Sequence, residues 1–370
     1  MTMNFKSLAL PGIQNLMPYQ GGKAAEEVER ELGISDVVKL CSNENPSGVS
    51  LIAKSAIINV LDDAARYPDS NGYHLKQKLT EKLSVKSSQL TLGNGSNDLL
   101  ELVAKSFLGS NHSAVFSQHA FLVYKLAVAA QNAKSIIVPA KNWGHDLQAM
   151  SEAIEDDTRL IFIANPNNPT GTYVGLAEIK TFMGSIPENV LVVVDEAYFE
   201  YVDAPGYETV LGLISEHPNL LVTRTFSKAY GLASLRIGYS VSHSSIAEIL
   251  NRVRQPFNVN SLALAAATAI LDDHEYLQKS IEINRNGYQQ LTAGINELNL
   301  KFIPSVGNFI AIEAPENVHS LHKRLLKKGV ITRTIDVYEM PDHLRVSIGT
   351  HEENERFLCS LKDFLDSKEV

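Results

Sequence analysis

The sequence has few cysteines and no long apolar run. Cys41 and Cys359 are its only cysteines in 370 residues, too few for a disulfide framework, and neither stands in a Cys/His spacing typical of a metal site. The longest charge-free apolar stretch, SLALAAATAIL at 261–271, is far shorter than the ~20 residues that cross a membrane. The sequence therefore predicts a cytoplasmic protein with no bound metal and no membrane contact.

The sequence also has no excess of basic residues. The formal net charge is −9 at pH 7, and the most basic stretch, LHKRLLKKG at 321–329, has the pattern of an amphipathic helix. Because nucleic acids bind basic surfaces, no nucleic-acid partner is expected. The charged fraction of 20% and the hydrophobic fraction of 44% are ordinary for a globular protein, and the length favours a large domain with a smaller companion.

Helical patterns alternate with short apolar runs from about 95 to 255. Runs such as SAVFS, RLIFIANP and NVLVVVDEAY lack polar alternation, which is typical of strands buried on both faces of a parallel sheet. We predict an α/β fold, in which helices flank a mostly parallel sheet and a smaller α+β domain follows. The predicted parts are an N-terminal segment at 1–40, a large domain at 41–258, and a long helix (261–299) with the small domain at 259–370.

Small residues open the helix that follows TLGNG. Gly95, Ser96 and Asn97 would present free backbone N–H groups to an anion, and a phosphate suits this arrangement. The segment is not a dinucleotide fingerprint, because Asp98 replaces the third glycine of G-x-G-x-x-G. An ordinary capped helix start is the alternative interpretation.

Polar side chains end two of the apolar strands. Asp195 ends NVLVVVD, where an unpaired charge would cost several kcal/mol, so it needs a partner: a buried Arg, a metal or a protonated ring nitrogen of a cofactor. Tyr198 can offer a phenol to the same pocket. The prolines of NPNNPTG hold Asn168 at a fixed place after the preceding strand. A helix-capping aspartate and a plain Pro/Asn turn are the alternatives.

Lys228 follows another strand, in TFSKAYGLASLRIG at 225–238. A partly desolvated lysine loses some preference for the ammonium form, so its amine can attack a carbonyl; a lysine whose stem covers the core is the alternative. Arg236 and Ser227 suit a phosphate. Together, these strand-end groups match every polar group of pyridoxal phosphate.

The motifs that carry these residues resemble the fold-type-I, aspartate-aminotransferase-like enzymes that depend on pyridoxal 5'-phosphate. The motifs are PYQGGKAAEEVERELG, KLCSNENPSG, RYPDSNG, NPNNPTG, VVDEAY, RTFSKAYGLASLRIGY, GVITR and HLRVSIGT. They span nearly the full chain and, within that group, are most similar to the histidinol-phosphate aminotransferases. The resemblance implies a seven-stranded sheet in the large domain and pyridoxal 5'-phosphate as the cofactor.

The resemblance also implies roles for single residues. Lys228 matches the lysine that bonds to the cofactor and later carries a proton, and Asp195 matches the partner of the ring nitrogen. Asn168 and Tyr198 match the groups that bond the ring oxygen, and Phe121 stands where many relatives have a stacking tyrosine. The implied phosphate-binding residues are Gly95, Ser96, Asn97, Ser227 and Arg236.

The same resemblance implies substrates and a partner. Arg345 matches the main anion-binding arginine, Arg333 is a second candidate, and Tyr19 matches a substrate-side position. Tyr67 matches a tyrosine that reaches the phosphate of the neighbouring subunit, which implies a homodimer. The implied reaction is transamination of L-histidinol phosphate with 2-oxoglutarate in histidine biosynthesis. An aromatic amino-acid aminotransferase, a threonine-phosphate decarboxylase and a non-catalytic binding module are the alternatives.

Overall fold

The computed structural model of the chain describes residues 4–14, 16, 17 and 21–366. Its strands are β1 (Val38–Lys39), β2 (Leu90–Gly93), β3 (Ser113–Ser117), β4 (Lys134–Val138), β5 (Thr158–Ala164), β6 (Leu191–Asp195), β7 (Leu220–Thr225), β8 (Gly238–Ser242), β9 (Phe302–Ile303), β10 (Phe309–Glu313), β11 (Val330–Ile331), β12 (Arg333–Ile335) and β13 (Met340–Ser347). Its α-helices are α1 (Pro11–Gln14), α2 (Ala25–Leu32), α3 (Leu51–Asn59), α4 (Tyr73–Leu83), α5 (Ser96–Phe107), α6 (Leu122–Ala130), α7 (Leu147–Glu152), α8 (Leu176–Met183), α9 (Ser244–Val253), α10 (Ser261–Ile270), α11 (His274–Glu297), α12 (Val318–Lys327) and α13 (His351–Asp366).

The large sheet has seven strands among the described residues, in the order β2-β8-β7-β6-β5-β3-β4. The pairs from β7 to β4 are parallel, and β8 runs antiparallel to both of its neighbours. On β5, Ile161 and Ile163 pack in one hydrophobic core, while Leu160 and Phe162 pack in another on the opposite face. Helices cover both faces, which explains why the strands are apolar throughout. The predicted α/β fold is confirmed.

Two elements differ from the sequence-based prediction. No strand was predicted over Leu90–Gly93, and the pairing of β2 with β8 at the sheet edge is what makes this stretch a strand. The helix predicted over 261–299 is two helices, α10 and α11. Asp273 causes the break, because its side chain accepts the backbone N–H of Tyr276 and so caps the start of α11.

A second sheet follows the large one along the chain. It is antiparallel in the order β12-β13-β10-β9, and its Ile310, Ile312 and Val346 pack in a core with residues of α11 and α13. Near the N-terminal end, β1 pairs in parallel with β11, so Val38 lies opposite Val330. The domain boundaries at 40 and 258 stay a prediction.

The carboxyl ends of the parallel strands meet at one edge of the large sheet. Strand β3 lies between β4 and β5, so the strand order reverses there, and a crevice opens at such a point in α/β sheets. The segments after β3, β5, β6 and β7 carry or follow the residues predicted to form the site. No helix within the described residues is both long and apolar enough to span a membrane.

Candidate active site

A cavity of about 370 Å³ lies at this edge of the large sheet. Strand ends of the large sheet, the segment after β1 and strand β13 of the second sheet all contribute to its lining. It brings together most of the predicted site residues: Ser96, Asn97, Phe121, Asn168, Asp195, Tyr198, Ser227, Lys228, Arg236 and Arg345.

Lys228 places its amine inside this cavity. Its Nζ donates to the backbone carbonyls of Asn43 at 3.0 Å and Ser42 at 3.3 Å, which are neutral acceptors. Burial and the nearby charge of Arg345 lower the pKa of the Lys228 amine to about 7. A large share of the amine is therefore neutral near pH 7, as a nucleophile or a proton acceptor must be.

Asp195 is a buried carboxylate at the end of β6. It has no ion-pair partner within the described part of the chain. Thr223, its register partner on β7, donates to Oδ1 at 2.9 Å, and Tyr124 donates to Oδ2 at 3.4 Å. Burial raises the pKa of Asp195 to about 6 in spite of these two hydrogen bonds. The hydrogen bonds thus orient the carboxylate but do not neutralise its charge. A protonated nitrogen of a ligand in the cavity would neutralise it.

Arg345 and Asn168 meet although 177 positions separate them. One terminal nitrogen of Arg345 donates to Asn168 Oδ1 at 2.6 Å, and the other donates to the carbonyl of Cys41 at 2.8 Å. Arg345 Nε is buried with no hydrogen-bond partner in the described structure. Since these acceptors are neutral, the charge of the guanidinium remains available to an anionic ligand.

The start of α5 and the loop after β7 form a corner of the cavity. Gly95 precedes Ser96, the first residue of α5, and no side chain caps the helix. Arg236 donates to Ser227 Oγ at 3.4 Å and to the carbonyl of Ala233 at 2.8 Å. A Cβ on Gly95, whose φ is +90°, would lie 2.5 Å from Arg236 Nη2. Glycine thus lets the guanidinium approach the free N–H groups of the helix, and both suit a phosphate.

An aromatic wall stands beside Asp195. Phe121 lines the cavity and meets Tyr124 edge to face, with ring centroids 5.9 Å apart. Tyr124 in turn stacks on Phe162 of β5 at 4.8 Å. Phe121 therefore presents an apolar surface to the cavity, as stacking on a flat ligand ring requires.

Three of the predicted residues in the described part of the chain do not line this cavity: Gly95, which directly precedes the lining residue Ser96, Tyr67 and Arg333. Tyr67 is 82% exposed and stacks on Phe257, with centroids 4.6 Å apart. Arg333 lies opposite Arg345 in the β12–β13 pair, so both side chains leave the same sheet face, but Arg333 lines an adjoining cavity of about 680 Å³. The two cavities share Gly22. Tyr19 lies outside the described residues.

Other residues at the site were not predicted. Asn43 and Glu44 line the cavity, and their membership of the KLCSNENPSG motif was a signal that could have found them. Thr223 stands on the strand after the Asp195 strand, which was a weaker signal. No sequence signal indicated Tyr124 or Tyr338, because only the packing of α6 and of the segment before β13 brings them to the site. Among the described residues, no cluster of His, Cys, Asp or Glu could hold a metal ion.

The chain that has this arrangement of lysine, aspartate and arginine also matches a known protein family. The pattern described as aminotransferase class I and II matches residues 35–361, most of the chain. The chain belongs to the class I and II aminotransferase family. This confirms the family predicted from the motifs and makes the protein an enzyme that transfers amino groups.

Full-length relatives define the subfamily. The aminotransferase is 52% identical over 359 residues to histidinol-phosphate aminotransferase 1 of Idiomarina loihiensis, covering 97% of this chain and 98% of that one. It is 53% identical over 367 residues to histidinol-phosphate aminotransferase 2 of Pseudomonas fluorescens, covering 99% of each. Within its family, the aminotransferase belongs with the histidinol-phosphate aminotransferases.

A solved structure has the same fold. The histidinol-phosphate aminotransferase from Sinorhizobium meliloti, in complex with pyridoxal-5'-phosphate, superimposes on the aminotransferase with a TM-score of 0.89. The two chains are 28% identical, and the match covers 96% of this chain and 97% of that one. The seven-stranded fold that the resemblance implied is therefore confirmed.

Proposed function

We propose that the chain, an aminotransferase that works with pyridoxal 5'-phosphate, transfers the amino group of L-histidinol phosphate to 2-oxoglutarate. The products would be imidazole acetol phosphate and glutamate, and the reaction is a step of histidine biosynthesis. One observation carries the proposal: a single cavity contains Asp195, a buried carboxylate that forms no ion pair within the described residues, and Lys228, a lysine amine with a lowered pKa. The names of the two relatives above support the choice of substrate.

The residues present fit the cofactor. Bound pyridoxal 5'-phosphate supplies an aldehyde that bonds reversibly to amines and a protonated ring that accepts electrons from the substrate carbon. The carboxylate of Asp195 would hold the ring nitrogen. Asp195 has no cationic partner in the described chain, and the protonated ring nitrogen would supply one. We assign the ring oxygen to Asn168 and Tyr198, the ring face to Phe121, and the phosphate to Gly95, Ser96, Asn97, Ser227 and Arg236.

Lys228 would act at the reacting atoms. With the cofactor bound, Lys228 Nζ would hold its aldehyde, and the substrate amine would replace Nζ there. Nζ would then be placed to accept the proton of the substrate carbon that carries the nitrogen and to return it at the carbon beside the cofactor ring. A pKa of about 7 suits both tasks, because the amine then gains and loses a proton with little cost near neutral pH.

Arg345 would bind the anionic end of each substrate. In one half-reaction this is the phosphate of histidinol phosphate, and in the other a carboxylate of glutamate or 2-oxoglutarate. A planar guanidinium serves both oxyanions, because its terminal N–H groups form a fork and its acceptors in the described structure, Asn168 and the Cys41 carbonyl, leave its charge unneutralised. We propose Arg333 and Tyr19 as further substrate-side residues.

A substrate comparison tests the proposed function. With 2-oxoglutarate as acceptor, we expect kcat/KM for histidinol phosphate to exceed that for phenylalanine by at least ~100-fold, because a phosphate brings more negative charge and more acceptor oxygens to Arg345 than the carboxylate of phenylalanine does. The Arg345→Lys variant keeps the charge but loses the planar fork, so this preference should shrink. A preference for phenylalanine would indicate an aromatic aminotransferase. Carbon dioxide release from threonine phosphate would indicate a decarboxylase.

We also propose that the aminotransferase is a homodimer in which Tyr67 reaches the phosphate of the neighbouring site. Its ring is exposed and held by stacking on Phe257. The preceding segment exposes further apolar side chains, with Leu51 81% and Ile58 59% exposed. Exposed apolar side chains that recur along a short segment are typical of a surface that another protein covers.

Mass and cofactor affinity test the dimer. Light scattering should give twice the mass of the 40.7 kDa chain. Tyr67→Phe should weaken binding of pyridoxal 5'-phosphate about tenfold, the share of one charge-assisted hydrogen bond. The matched control is Tyr173→Phe, because that hydroxyl bonds to the Pro205 carbonyl away from the cavity and should not matter. A fully active monomer, or equal effects of the two changes, would rule out the shared site.

We propose a cytoplasmic location. Cys41 and Cys359 are both free thiols, as is usual in a reducing compartment. Recovery of the protein in a membrane or secreted fraction during cell fractionation would contradict this proposal.

A further inference from the structure

Asn43 contacts two of the groups that the proposed reaction uses. Its side chain is 1% exposed and follows β1 in the left-handed region, with a φ of +52°. Its backbone carbonyl accepts a hydrogen bond from Lys228 Nζ at 3.0 Å. Its side-chain Nδ2 donates to the hydroxyl oxygen of Tyr198 at 3.0 Å. One residue thus holds both the amine and the phenol.

The second sheet holds Asn43 in this orientation. The Ser347 hydroxyl, at the end of β13, accepts the backbone N–H of Asn43 at 2.7 Å and donates to its Oδ1 at 3.1 Å. Because Oδ1 is bound to Ser347, Nδ2 is turned towards Tyr198. Asn308 Nδ2 donates at 3.0 Å to the carbonyl that also receives Lys228. Two hydrogen bonds, one at Oδ1 and one at Nδ2, therefore set the orientation of the side-chain amide.

We propose that Asn43 is a positioning residue that aims the Tyr198 hydroxyl hydrogen at the ring oxygen of the bound cofactor. Nδ2 donates to the phenol oxygen, so that bond leaves the phenol's own hydrogen for another acceptor. The phenol remains protonated at neutral pH, because burial raises the pKa of Tyr198 well above its usual range. This inference rests on the proposed function, since the acceptor belongs to the cofactor.

The hydrogen bond from Asn43 would also affect the cofactor's chemistry. A hydroxyl that accepts one hydrogen bond becomes a better donor in the next, because linked hydrogen bonds polarise each other. The Tyr198 hydroxyl would thus stabilise negative charge on the ring oxygen. If Nδ2 is removed, that charge is less stable, and the bound chromophore should lose its proton at a higher pH.

A double-mutant cycle tests this role. In holoenzyme, Asn43→Ala should raise the midpoint pH of the visible absorbance change by about 0.5 to 1 unit and lower kcat about 3- to 10-fold, the effect of one hydrogen bond. In the Tyr198→Phe background, which has no hydroxyl to aim, Asn43→Ala should change neither quantity appreciably. Equal shifts of the midpoint in the two backgrounds would overturn the proposal.

Two further variants separate the lost amide from damage to the fold. The Asn43→Gly variant tolerates the φ of +52° at this position, so its absorbance midpoint should match that of Asn43→Ala. A shift in the alanine variant alone would indicate backbone strain and would contradict the proposal. Ser347→Ala keeps the Asn43 amide but frees its orientation, so a smaller shift of the same sign is expected, and no shift would contradict the role.

The failure of this role and the failure of the proposed function can be told apart. If wild type binds no pyridoxal 5'-phosphate, the proposed function fails. If it binds the cofactor and turns over histidinol phosphate, an additive cycle removes only the role of Asn43.

Discussion

Replacing Lys228 with alanine should lower transamination at least ~10⁴-fold while the protein remains folded. Lys228 is the only lysine that lines the cavity in the described structure, so no other ammonium group can take its place. Its amine has two tasks, bonding to the cofactor and moving the proton, and alanine removes both. Steady-state turnover of histidinol phosphate measures the loss, and circular dichroism checks the fold.

Borohydride reduction of the holoenzyme identifies the bonded side chain directly. In wild type, peptide mass spectrometry should place the pyridoxyl label on Lys228, and the variant should carry none there. Lys76→Ala is the matched control, because burial also lowers the pKa of Lys76 but its side chain lines a different cavity. That variant should keep its label and most of its activity. A label on another residue in wild type, or retained turnover in Lys228→Ala, would contradict the assignment.

Replacing Asp195 with asparagine should have opposite effects on activity and on the stability of the apoprotein. We expect kcat to fall at least ~10³-fold, because a neutral amide cannot keep the cofactor ring nitrogen protonated. At pH 8 without cofactor, the free energy of unfolding should rise by about 2 kcal/mol, since asparagine removes an unneutralised buried charge. Urea denaturation of the two apoproteins measures the difference.

The stability difference should depend on pH with a defined sign. Burial raises the pKa of Asp195 from 3.8 in the unfolded chain to about 6 in the folded one. Between these values the folded state binds more protons, so this group's contribution to stability falls as pH rises through the window. The advantage of the asparagine variant should therefore be full above pH 6 and shrink below it.

A control separates this effect from a general gain on losing a carboxylate. Asp273 accepts the Tyr276 N–H at 3.1 Å and caps α11. Asp273→Asn weakens a useful interaction, so it should not stabilise the apoprotein. If Asp195→Asn also brings no gain at pH 8, the carboxylate is not an uncompensated charge, and the fit to a protonated ring nitrogen loses its support.

The α/β fold and the gathering of most predicted residues in one cavity follow from local features of the sequence. Its apolar strands can be buried only between two layers of helices, and in such a sheet the parallel strands end at one edge. A polar residue after each strand, such as Asn168, Asp195 or Lys228, therefore had to come near the others. The periodicity of the apolar residues and the position of polar residues after the strands are local properties, so the sequence alone is enough to predict this clustering.

The rest of the cavity depends on contacts that form only when the two sheets pack together. The Arg345 side chain reaches the Cys41 carbonyl, and the Ser347 hydroxyl fixes the Asn43 amide, each across 304 positions. No local pattern encodes such contacts, because the second sheet must pack against the end of the large one before they exist. The same packing separates Arg333 from Arg345 although both leave one sheet face, since the two side chains enter different cavities.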